Sequence, residues 1–81
     1  MNKALERKTA KTLCEEHFVR CLTRDDARSA AGITIKYVQK IITDEIKNPN
    51  NSPEEIKLWG EKRKFYKSVN SFINEWDPYI I

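Results

Sequence analysis

The segment from Ser52 to Trp76 leaves little choice of local structure. Ser52 suits a helix N-cap, Pro53 the first helical position, and Glu54 and Glu55 the positive end of the helix dipole. Behind that start, Leu58, Phe65, Val69, Phe72 and Trp76 fall on one helical line, and Trp59, Tyr66 and Ile73 form a second line beside it. Together the two lines cover roughly 140° of the helix, wider than the seam of a two-stranded coiled coil. Such a face has to be buried, so the rest of the chain must supply helices to cover it. Gly60 sits inside the segment at about 1 kcal/mol relative to alanine. Asp77 and Pro78 end it, and the tail Pro78-Tyr79-Ile80-Ile81 is apolar.

The remaining residues read as helix too. With two glycines and three prolines in 81 residues, turns are few. A first helix spans 3–22, with Ala10, Cys14, Phe18, Cys21 and Leu22 on its apolar face, Leu13 and His17 at the border, and Glu6, Arg7, Lys8, Lys11, Glu15 and Arg20 outside. A second begins at Thr23, whose hydroxyl can cap it, with Asp25 and Asp26 in its first turn. Gly32 is expected to stop it after Ala31. A third starts near Thr34, carries Val38, Ile41, Ile42 and Ile46 as its apolar stripe, and fails at Asn48-Pro49-Asn50-Asn51. The expected fold is therefore one all-α domain over residues 1–81. It is a small bundle of about four helices containing a helix-turn-helix at 24–47 and a long aromatic-rich C-terminal helix at 53–76.

A helix-turn-helix needs small residues in its first helix, a glycine in the turn, and aliphatic residues after it. Ala27 and Ala31, then Gly32 and Ile33, then Val38 and Ile41 supply them. This segment resembles the helix-turn-helix superfamily of DNA-binding regulators, and Ala30 to Ile42 looks like the equivalent part of arabinose-type activators. Arg28 stands where that superfamily has alanine or glycine, and would have to run outward along its aliphatic stem. The resemblance implies that the third helix lies in the major groove of double-stranded DNA. Thr34, Lys36, Tyr37, Gln39, Lys40 and Arg28 would be the DNA-binding residues, with glutamine suited to adenine and lysine to guanine or phosphate. From Ala27 to Thr43 there is no acidic residue, and the net charge of +3 tolerates a polyanion. The implied role is a sequence-preferring transcriptional regulator from a mobile element or accessory locus.

Two other readings stand beside this one. Trp59, Tyr66, Ile73 and Trp76 exceed what one face of a small bundle easily buries, which predicts a homodimer or a protein partner on the last helix. The chain would then be a module that modulates a regulator or polymerase, or a DNA-packaging adaptor. Lys57, Arg63, Lys64 and Lys67 project from the opposite side of that helix and read as a solvated face rather than a phosphate-binding stripe. Cys14, His17 and Cys21 share one side of the first helix, but a structural zinc site needs four ligands, and no second histidine or third cysteine exists. No metal or other cofactor is expected, and the cysteines read as buried thiols. Seven residues apart on a helix, they are ~10.5 Å apart in rise, too far to bridge. No nucleophile with a base and orienting partner is evident, so the chain is not read as an enzyme. The N-terminal stretch lacks an apolar core and no run approaches the ~20 residues of a membrane span, so a cytoplasmic location is expected.

Overall fold

The computed structural model describes residues 3–20 and 23–79. Three helices make up the described chain: α1 (Lys3–Phe18), α2 (Arg24–Ile46) and α3 (Pro53–Ile73). Cys21 and Leu22, expected on the first apolar face, lie outside the described residues, as do Ile80 and Ile81 of the tail. Two of the three expected N-caps operate. The Thr23 hydroxyl accepts from the Asp26 amide at 3.1 Å and caps α2. At α3 the Ser52 hydroxyl accepts from the Glu55 amide at 3.2 Å while the Glu55 carboxylate takes the Ser52 amide, a full capping box with Pro53 behind it.

The expected break at Gly32 is absent. Residues 24–46 form one helix of 23 residues, so the bundle has three helices rather than four, and no turn separates two short helices. Gly32 has no positive φ. Thr34, expected to cap a third helix, lies in mid-helix and donates back to the Ala30 carbonyl at 3.1 Å. The physical reason is a single buried line through the expected turn. Ala27, Ala31, Ile35 and Ile42 are all 2 % exposed or less. Their four-residue steps, with Val38 between the last two, keep one face of α2 inward on both sides of Gly32. A turn would put the two halves out of phase. Against that loss, one glycine in a helix costs only about 1 kcal/mol.

Arg28 near the start of α2 reaches Trp76 beyond the end of α3, and Gln39 further along reaches Arg63, so α2 and α3 are antiparallel. The core is a cluster from all three helices: Ala10 and Cys14 of α1, Ala31 and Ile35 of α2, Val69 and Ile73 of α3. Leu13, Phe65, Tyr66, Phe72 and Trp76 pack around it. Three of its six members are alanine or cysteine, which lets the helices approach closely.

Glu6 departs from expectation. Read as surface, it is 2 % exposed, on the same face of α1 as Ala10, and its Oε1 has no hydrogen-bond partner. Its place in the first turn sets the carboxylate against the positive end of the helix dipole, which offsets part of the desolvation cost. α1 has 16 residues against 23 and 21 for α2 and α3. The far end of the α2–α3 hairpin therefore projects past it. This explains why Leu58, on the same helical line as Val69, is 59 % exposed. No helix among the described residues is long and apolar enough to cross a membrane.

A Cβ at Gly32 would meet nothing within 4 Å. Gly32→Ala should therefore stabilise the protein by about 0.5–1 kcal/mol. Thermal unfolding should show a rise of a few degrees, at about 4–8 °C per kcal/mol for a domain of this size. A fall in the midpoint would mean that Gly32 holds a turn.

Candidate functional site

The six residues expected to contact DNA separate onto different sides of α2. Thr34 faces α1, where its hydroxyl lies 3.3 Å from the His17 Nε2. Gln39 faces α3 and its amide donates to the Arg63 carbonyl at 3.2 Å. Arg28 is half-buried, and its Nε donates to the Trp76 carbonyl at 2.6 Å. Lys36, Tyr37 and Lys40 are exposed.

Arg28 belongs to a clamp. Arg24, one turn earlier, pairs with Asp77 at 2.6 Å, and Asp77 also accepts from the Tyr79 amide at 2.9 Å. Trp76 and Tyr79 both meet the Phe18 ring edge-on, at 5.6 and 6.2 Å between centroids. The two arginines thus tie the segment after α3 to the start of α2. The Tyr79 amide, and then the Arg24 guanidinium, hold the Asp77 carboxyl below the usual carboxylate range. The same pair, led by the Asp77 hydrogen bond, raises Arg24 further above its already high value. Burial pushes the Cys14 thiol up to about 11, with the Arg28 charge opposing, so it is an unreactive core thiol. Its expected neighbour His17 is engaged with Thr34.

The expected partner interface is mostly used by the chain itself. Ile73 is 1 % exposed and is core, not surface. Tyr66 and Trp76 are half-buried against the same core. Trp59 is half-buried too, with the Lys62 ammonium 4.5 Å above its ring. It lines a groove of about 350 Å³ with Val38, Ile41, Ile42, Phe65 and Tyr66, at the end of the hairpin that α1 does not reach. A larger groove of about 510 Å³ runs between α1 and the end of α3. Its charges serve the protein: Lys11 meets Glu15 at 3.8 Å, Arg7 lies 5.0 Å over the Phe72 ring, and Asp77 belongs to the clamp.

One arrangement was not anticipated. The acid-free window 27–43 of α2 has a counterpart in α3, where no acid occurs from Lys62 to Asn74. The antiparallel crossing lays the two windows side by side. Lys36 of α2 and Lys67 of α3 line one cleft of about 340 Å³ with Gly32, Ile35, Gln39 and Asn70. Lys40 and Arg63, one helical turn from Lys36 and Lys67 respectively, are exposed. The result is a cleft lined by two lysines and two amide side chains, with two further exposed cations one turn away. The α3 cations had read as a solvated face, because a single helix does not reveal what lies beside it. No protein-family model matches the chain, and neither the curated proteins nor the solved structures give a match.

The Asp77 shift has a pH signature. A depressed folded pKa contributes stability above the unfolded value of about 3.9 and loses it as the pH falls through the folded one. Parent and Asp77→Asn should differ in unfolding midpoint near neutral pH and converge in strong acid. An equal gap at both ends would show that the pair contributes nothing through ionisation.

Proposed function

We propose that this chain binds double-stranded DNA through the α2–α3 face, with Lys36, Lys40, Arg63 and Lys67 against the phosphates. The observation that carries the reading is the juxtaposition of two acid-free helix windows around one basic cleft. A polyanion is attracted where cations cluster without neighbouring carboxylates to cancel them. Asn70 adds an amide that suits phosphate and sugar oxygens.

This reading differs from a turn-borne recognition helix. Thr34 and Gln39 already hold intramolecular partners, so base reading from them would require breaking those bonds. Sequence preference, in a transcriptional regulator, would rest on the exposed Lys36 and Lys40 of α2. Phosphate contact dominates the energetics.

Salt dependence tests it. Four phosphate contacts give a slope of log K against log salt of about −3 to −4, so affinity should fall roughly 10²-fold between 50 and 200 mM salt. Lys36→Ala combined with Lys67→Ala should flatten that slope by about 2. An unchanged slope would move the site elsewhere.

The Trp59 groove favours a second reading, a protein-binding module. Its apolar walls and single cationic rim residue, Lys62, suit an amphipathic helix. An absence of DNA binding at low salt would leave this as the function.

A further inference from the structure

Ile33, Tyr37 and Ile41 stand at four-residue spacing on α2 and are 69 %, 68 % and 44 % exposed. Ile33 and Tyr37 turn away from the buried line Ala31–Ile35–Ile42, and Ile41, the least exposed of the three, stands at its edge beside the Trp59 groove. An apolar stripe of three consecutive turns on an otherwise charged helix is a partner surface. We propose that it is the interface of a homodimer in which α2 packs antiparallel against α2 of a second copy, with Tyr37 at the two-fold axis.

The spacing and the charges point to a second copy in that orientation. A two-fold interface must present the same patch from both sides. An antiparallel pairing centred on Tyr37 sets residues equally far before and after it opposite one another. Ile33 of one copy then meets Ile41 of the other, and the stripe is its own complement. The ends agree as well. Asp26 lies 11 residues before Tyr37 and Lys47 lies 10 after it, both exposed. The antiparallel pairing therefore brings the lysine of each copy beside the aspartate of the other, at both ends of the interface. A parallel pairing would set Asp26 and Asp44 each against its own symmetry mate, like charge on like.

The pairing also has a consequence for the basic face, although it stands whether or not DNA binds there. The two-fold axis lies in the interface plane and keeps the Lys36–Lys40 side of both copies along one edge. The dimer joins two basic faces into a single band. The stripe is shorter than a standard interface of ~800 Å² per partner, so a dissociation constant of about 10–100 µM is expected.

Site-directed cross-linking reads both the contact and its direction. Three variants, each with one introduced cysteine besides the buried Cys14, are made in a Cys21→Ser background: Ile33→Cys, Tyr37→Cys and Ile41→Cys. Each is oxidised at about 200 µM, well above the expected dissociation constant. Tyr37→Cys should form a disulfide-linked dimer by itself. Ile33→Cys and Ile41→Cys should cross-link when mixed and hardly at all alone. Self-linking at 33 and 41 without the mixed product would overturn the antiparallel arrangement. Sedimentation showing only monomer, with no cross-link at any position, would overturn the dimer and assign the stripe to a different protein. As a second readout, Tyr37→Glu should raise the parent's dimer dissociation constant at least about tenfold. Its helical circular dichroism should be unchanged, because Tyr37 is exposed.

Discussion

Ala10, Cys14, Ala31, Ile35, Val69 and Ile73 form the cluster in which all three helices meet, and Cys14, Ala31 and Val69 have no exposed surface at all. Everything else in the bundle follows from keeping that cluster closed. Its α2 members continue one buried line from Ala27 to Ile42, which holds α2 straight through Gly32. A straight α2 is long enough to run beside α3 for most of its length. That in turn lays two acid-free windows edge to edge and turns Ile33, Tyr37 and Ile41 outward. The Arg24 and Arg28 clamp fixes the end of α3 to the start of α2, and so sets the antiparallel register of both helices.

Much of this was legible in the sequence. Ser52, Pro53 and Glu55 announced α3, and Thr23 with Asp26 announced α2, because capping is local chemistry between residues three apart. Ala27 and Ala31 were correctly placed inside, but their neighbours were misassigned. Small residues permit a close crossing without naming the helix that crosses. Gly32 misled for a related reason. Glycine makes a helix end possible and does not require one. The decisive sign was the phase of Ala27, Ala31, Ile35 and Ile42, which runs unbroken across the glycine.

Arg28 shows where local reading fails. From the sequence it looked like a DNA contact or a steric misfit. Its role is set by the Trp76 carbonyl, 48 positions away. Glu6 is similar: polar by composition, buried by the placement of α1. The basic face is a third case. Lys36 read as a DNA contact on its own helix and Lys67 as part of a solvated face, and the two share a cleft only through the antiparallel crossing. A surface assembled from two elements carries little trace in either one.

The central claim is that α2 is a single helix, since the basic face and the outward stripe both depend on it. Amide hydrogen exchange tests this most directly. In a continuous helix the amides of Ile33, Thr34, Ile35 and Lys36 donate to carbonyls four residues back, and they should be protected to the same degree as those of Ala31 and Val38. Fast exchange confined to residues 32–34, with protection on either side, would reveal a turn and contradict the account.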